Sequence, residues 1–298
     1  MKKILVTGVS VIDFIFQIDE IPKHFEKYRA KDASISGGGV AANAAVAISR
    51  LGGSSTLISR LGNDDIGKII KSGLSEEGVN VKNVKFFNGH KSSFSSVFIN
   101  NDGERQVMNY RDTTLPKDAI WINDIEIHDA YLADTRWNEG ALETLKIAKR
   151  FNCPGVLDAE ETVSLDMIKI ASHVAFSFRG LKTFTKETKL IDALKEVKKI
   201  TSNWICVTDG ENGVFFLEND KLVNIPVQTV DVKDTLGAGD VWHGAFALGL
   251  AEGKNEIEAV KLANSAATLK CKNFGGRTGF PRRNEVNKFL RRNKADAT

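Results

Sequence analysis

Asp240 follows Gly237-Ala238-Gly239 and precedes Val241-Trp242-His243-Gly244-Ala245-Phe246, whose apolar residues recur at helical spacing. That pattern puts the glycines and the carboxylate in the first turn of a helix. Backbone N–H groups there lack partners within the helix, and the helix dipole adds positive potential. Such a turn can hold an anion, including the charge that develops on a phosphoryl group in transfer. A carboxylate at the same spot can take the proton of an attacking hydroxyl. The chemistry in view is phosphoryl transfer to an alcohol, with Asp240 as general base and Gly237, Ala238 and Gly239 as the anion hole. An acidic residue in a first turn also stabilises its own helix, but this leaves the paired glycines and the preceding Asp234-Thr235 unexplained.

A second glycine cluster, Ser36-Gly37-Gly38-Gly39, runs into Val40-Ala41-Ala42-Asn43. Glycines let backbone approach a ligand closely, and Asn43, one turn into the helix, can present its amide to a hydroxyl. On its residues alone the cluster fits a ligand cradle and a turn before a packing helix equally well. The chain has no Gly-x-x-x-x-Gly-Lys-Ser/Thr run and no strand–Gly-x-Gly-x-x-Gly–helix run, which counts against a P-loop enzyme and a dinucleotide-binding dehydrogenase.

Elements able to position these clusters alternate along the chain. Strands are predicted at Ile4–Thr7, Thr56–Ser59, Tyr131–Ala133, Val156–Asp158, Val174–Phe176 and Trp204–Thr208, separated by helices such as Val40–Leu51, Gly140–Arg150 and the run through Ile66, Ile69, Ile70 and Leu74. Alternation of this kind implies a parallel sheet covered on both faces. Residues 14–35 and 85–111 break the rhythm and read as antiparallel strands of a small lid sheet. In the second of them Asn101-Asp102-Gly103 is a strong hairpin turn. No linker divides the 298 residues, so one α/β domain spanning 1–298 is expected.

Composition excludes several classes. With 42% hydrophobic and 27% charged residues the chain is neither collagen-like, mucin-like nor disordered. A net charge of +3, from 41 basic and 38 acidic residues, gives no reason to expect nucleic acid as a partner. The basic residues Arg282, Arg283, Arg291, Arg292 and Lys294 read as a solvated terminal helix. Cys153, Cys206 and Cys271 show no Cys-x-x-Cys spacing, so neither zinc nor a disulfide framework is expected and the compartment is a reducing one. No apolar run approaches the ~18 residues of a membrane span. The expectation is a cytoplasmic protein with small-molecule partners.

The two clusters, GGGVAANAAVAISRLGG and DTLGAGDVWHGAFALGL, resemble the paired signatures of the ribokinase-like (PfkB) carbohydrate kinases, in the same order. The resemblance implies a Rossmann-like α/β/α sandwich with a β lid and ATP-dependent phosphorylation of a sugar hydroxyl. It implies sugar contacts from Asp13, Gly38, Gly39 and Asn43, with Asp240 as base. It places the nucleotide at Ser177, at Thr208-Asp209-Gly210 with Gly213, and at Asn264. It also implies a monovalent cation, potassium, among Asp234, Leu236, Lys270, Asn273, Gly275 and Gly279. Many members carry Asn-x-x-Glu, tied to magnesium, where this chain has Ser177-Phe178-Arg179-Gly180; Asp158 and Glu160 fit equally well as substitutes acting through water and as ordinary loop acids. The segments KSSFSSVFINNDGERQVMNY, LADTRWNEGA and LKCKNFGGRTGFP resemble sulfofructose kinases, which implies phosphorylation of the C1 hydroxyl of 6-deoxy-6-sulfofructose, with Lys27, Asn109 and Arg136 on the sulfonate. Fructose, ketodeoxygluconate or a sugar phosphate is the alternative acceptor, and a non-catalytic sugar or nucleotide sensor is the alternative outside enzymes. A homodimer joined through the lids is expected, since a small sheet leaves edges and an apolar face to cover.

Overall fold

The computed structural model of the chain describes residues 1–102, 104–160 and 162–295. Its strands are β1 (Lys3–Thr7), β2 (Val11–Gln17), β3 (Asp32–Gly38), β4 (Ser54–Gly62), β5 (Val84–Phe87), β6 (Phe94–Ile99), β7 (Arg105–Tyr110), β8 (Ala130–Asp134), β9 (Gly155–Ala159), β10 (His173–Ser177), β11 (Trp204–Thr208), β12 (Val214–Glu218) and β13 (Lys221–Ile225). The helices are α1 (Val40–Arg50), α2 (Asp65–Glu76), α3 (Asn138–Arg150), α4 (Leu165–Ile170), α5 (Phe178–Thr185), α6 (Leu190–Ile200), α7 (Ala238–Ala251), α8 (Glu256–Cys271) and α9 (Arg283–Ala295).

The apolar strands form one nine-stranded sheet in the order β13-β12-β11-β10-β9-β8-β1-β4-β5. From β5 to β11 the neighbours pair in parallel, and β12 and β13 are antiparallel additions. The strands read as continuous apolar runs because both faces are covered. Successive side chains alternate between two helical layers. Ile4, Val6, Leu132 and Val156 join α1, α7 and α8, whereas Leu157, Phe176, Ile205 and Val207 join α3, α4, α5 and α6. Helix α7 is apolar all round and buried from Val241 to Ala251, so the first turn that carries Asp240 is anchored in the centre of the fold. Burying each such large apolar side chain contributes about 1.5–3 kcal/mol.

A second sheet, in the order β3-β2-β6-β7, forms the lid. Its bounds differ from the sequence expectation, and its central pair, β2 and β6, runs parallel against an expectation of antiparallel strands throughout, since β6 is reached by a long crossover rather than a hairpin. Strands β2 and β3 extend outward to Val11 and Gly38, while residues 18–31 between them are irregular. Lys85–Phe87 leave the lid for β5, which pairs with β4, because Val84 and Phe86 pack into the main core. The expected hairpin joins β6 to β7, with Gly103 of its turn outside the described residues. Among the described residues no helix is long and apolar enough to cross a membrane.

Candidate active site

Strand β1 has β4 on one side and β8 on the other, so the strand order reverses there and the chains leaving β1 and β8 diverge. A crevice opens at the carboxyl ends of strands at such a point. Two adjoining cavities occupy it. One, of about 330 Å³, is lined by Gly8, Ser10, Arg60, Arg111, Lys117 and Arg136 among others. The other, of about 210 Å³, brings together Asp13, Gly38, Gly39, Asn43, Asn109, Arg111, Arg136, Leu236 and Asp240. The lid supplies Asp13 from β2 and the Gly37–Gly38 end of β3. Gly39 joins β3 to α1 with φ 93°, where a Cβ would also meet the Val9 carbonyl oxygen at 2.6 Å.

Gly237 takes the left-handed conformation (φ 79°) and starts α7. The amide of Ala238 donates to the Thr235 carbonyl (3.1 Å), and among the described residues those of Gly239 and Asp240 have no backbone acceptor. Asp240 is half-buried, and Asn43 Nδ2 donates to its Oδ2 at 2.7 Å. Asn43 is itself oriented by Arg277, whose Nε donates to Asn43 Oδ1 (2.7 Å) and whose Nη2 donates to the Gly38 carbonyl (2.9 Å). Burial pushes the Asp240 carboxyl up to about 6, opposed by the Asn43 amide and by the charge of Arg277. His243, buried one turn further, lies with Nδ1 2.9 Å from the Gly239 carbonyl oxygen, and burial lowers its pKa. A half-buried carboxylate poised near 6 beside free first-turn amides can accept a hydroxyl proton and hold a transferring anion.

Asp13, Ser95 and Asn109 stand in register across β2, β6 and β7 and face one side. Asn109 Nδ2 donates to Ser95 Oγ at 3.0 Å. Burial raises Asp13, with the Ser95 hydroxyl and Arg277 acting against it. Arg136 and Arg111 line both cavities, and burial together with repulsion from Arg136 lowers the pKa of Arg111. Among the described residues Arg136 makes no ion pair with Asp134 or Glu139; the Asp134 carboxylate accepts the backbone amides of Val9, Ala41 and Arg136.

The ends of β9, β10 and β11 continue the crevice away from the lid. Asp158 is buried, its Oδ1 has no hydrogen-bond partner among the described residues, and burial plus repulsion from Glu160 and Asp240 hold it well above the usual carboxylate range. Ser177 caps α5 through Gly180 N (3.0 Å) and donates to Glu160 Oε2 at 3.3 Å. Thr208 ends β11, and Asp209 and Gly213 close a tight loop through a 2.9 Å backbone bond around Gly210–Asn212. Among the described residues no three His, Cys, Asp or Glu side chains converge to hold a metal by themselves.

The pfkB family carbohydrate kinase profile matches residues 1–283. The chain belongs to this family. It is 29% identical to the ribokinase of Bacillus subtilis over 97% of this chain and 100% of that one, and 26% identical to a fructokinase of Vibrio alginolyticus over 97% and 99%. A crystal structure of a provisionally assigned ribokinase of Agrobacterium tumefaciens superposes with a TM-score of 0.92 at 33% identity, covering 99% of each chain. The chain is thus a carbohydrate kinase on the ribokinase-like fold.

In this kinase several expected site residues are not where a ligand would meet them. Lys27 lies exposed in the irregular loop between β2 and β3 and lines neither cavity. Asn264 is buried in α8: its Oδ1 accepts from Trp242 Nε1 (2.8 Å) and its Nδ2 donates to the Ile225 and Pro226 carbonyls (3.3 Å each), so it holds the chain after β13 and turns no free group to a base. Asp234, Leu236, Lys270, Asn273, Gly275 and Gly279 do come together, but the Lys270 ammonium stands among them, and the set does not fit a free monovalent cation. Arg111, which lines the cavity, and Arg277, which orients Asn43, belong to neither glycine cluster. Arg111 follows Asn109 by two residues, and strand alternation would have put both on one side. The partners of Arg277 are more than two hundred residues away in sequence, and no local pattern points to them.

Proposed function

We propose that the chain transfers the γ-phosphate of ATP to the C1 hydroxyl of 6-deoxy-6-sulfofructose. The observation that carries this reading is the pair of guanidiniums, Arg111 and Arg136, brought with Asn109 into the cavity that also holds Asp240. Two like charges that raise each other's energy favour an anionic ligand. Ribose or fructose, the sugars in the relatives' names, would offer them no counter-charge. Arg111 takes the part that the sequence resemblance gave to Lys27. A sulfonate presents three acceptor oxygens and no proton, which suits guanidinium donors.

In this reading Asp13 and the Gly38–Gly39 backbone hold the sugar hydroxyls. Asp240 removes the C1 proton as the oxygen attacks, and the Gly239 and Asp240 amides receive the developing charge. The loop from Thr208 to Gly213 carries the nucleotide. Asp158 and Glu160 fit magnesium held mainly by phosphates and water: an unpartnered buried carboxyl oxygen and mutual acid repulsion are what a divalent cation relieves. When bound, magnesium supplies charge neutralisation on the phosphate oxygens. ADP release measured across sulfofructose, fructose, fructose 6-phosphate and ketodeoxygluconate tests the assignment. Sulfofructose should show the highest kcat/KM, and a preference for any of the others overturns the acceptor while leaving the kinase in place.

Ile35 and Met108, exposed by 59% and 73%, share the lid face opposite Asp13, and β3 and β7 leave open edges. Pairing of two lids would cover both features. Sedimentation velocity across the micromolar range should show a dimer that Met108→Glu weakens, and a monomer throughout rejects this arrangement.

A further inference from the structure

Lys270, in the last turn of α8, is fully buried. A buried ammonium is costly unless it is paired and hydrogen-bonded. Its three protons go to Asp234 Oδ2 at 2.8 Å, the Asp234 carbonyl at 3.0 Å and the Asn273 carbonyl at 3.1 Å. That uses every donor the group has. The ligand set, one carboxylate and two main-chain carbonyls, is of the oxygen type that suits a hard cation. The same carboxylate gathers the backbone on both sides: Oδ1 accepts the Leu236 amide (3.0 Å), and Oδ2 accepts those of Gly275 (3.1 Å) and Gly276 (3.2 Å).

Both gathered segments lead into the active site. Leu236 lines the acceptor cavity and precedes Gly237, where the anion-hole turn begins. Gly276 lines the same cavity and precedes Arg277, which orients Asn43 and through it Asp240. We propose that the Lys270 ammonium is a tethered cation that positions the anion hole and the base, so that phosphoryl transfer by this chain needs no free monovalent cation. Without the ammonium, the Asp234 carboxylate would face two carbonyl oxygens with no positive charge between them, and the two segments would part.

Lys270→Met ends one atom short and leaves a hole the size of an ammonium ion. Two readouts are compared in choline, potassium and ammonium chloride at equal ionic strength: melting temperature without substrate, and ADP release with whichever acceptor the wild type turns over. The wild type should give the same melting temperature and kcat in all three salts. Lys270→Met should lose about 10²-fold or more in kcat in choline, as when an oxyanion donor is removed. It should recover much of that loss in potassium or ammonium, with a melting temperature raised by those ions alone. Wild-type activation by potassium overturns the proposal. So does a folded variant with full activity in choline, or one that neither ion restores. If Lys270→Met does not fold, Lys270→Gln is read in the same salts, and the wild-type comparison still decides the cation requirement. The melting arm involves no sugar, so its outcome is separate from the choice of acceptor.

Discussion

Asp240→Asn should lower kcat by about 10²–10⁴-fold, the usual worth of a positioned general base, while sugar binding measured by calorimetry changes little. The substitution keeps the side-chain shape and an oxygen for the 2.7 Å bond from Asn43. It removes only the basicity. The pH profile separates this from general damage. Asp240 works deprotonated, and burial raises its pKa to about 6, above the ordinary carboxylate range. Wild-type kcat/KM should therefore fall as pH drops through about 6, and the limb should vanish from the residual rate of Asp240→Asn. Arg277 lowers the Asp240 pKa by its charge. Arg277→Met should move the limb to higher pH, because the carboxylate then loses a stabilising cation and the support of its Asn43 partner. Turnover near the wild-type value in Asp240→Asn would rule out this carboxylate as the base.

What the sequence made legible follows from the range of the interactions involved. Strand β11 is legible residue for residue at Trp204–Thr208, and β1, β4, β8, β9 and β10 to within a few residues, because strands buried on both faces are apolar runs bounded by polar turns. The first turn of α7 was legible for a related reason, since glycine spacing and the apolar helix behind Asp240 lie side by side in the chain. The lid was less so. Its strands are half-exposed, and Val84–Phe87 alternates like a lid strand although its buried residues enter the main core. Least legible were features made by contacts distant in sequence. Asn43 looked like a sugar ligand, yet its amide links Arg277 to Asp240. Lys270 matched a position near a cation, and only the fold shows its own ammonium there.

Arg136→Ala should raise the KM for sulfofructose by about 30-fold, whereas the weak rate on fructose should hardly change. Truncating one partner of a hydrogen-bonded charge pair costs ~2–5 kcal/mol when the pair is buried. Arg136 is exposed in the crevice before a ligand arrives, so the lower end applies, and 2 kcal/mol corresponds to about 30-fold. Arg111 lines the same two cavities and should respond in the same direction. The loss in the double variant should be less than the product of the two single losses, because each guanidinium is partly destabilised by the other and the first removal relieves that repulsion. Neutral fructose gains nothing from either charge, so its kcat/KM is the internal control. A fructose 6-phosphate series adds the harder discrimination, since phosphate differs from sulfonate chiefly in its second charge. An equal loss on sulfofructose and fructose would mean that Arg136 only shapes the loop after β8, and the anionic-acceptor reading would fall with it.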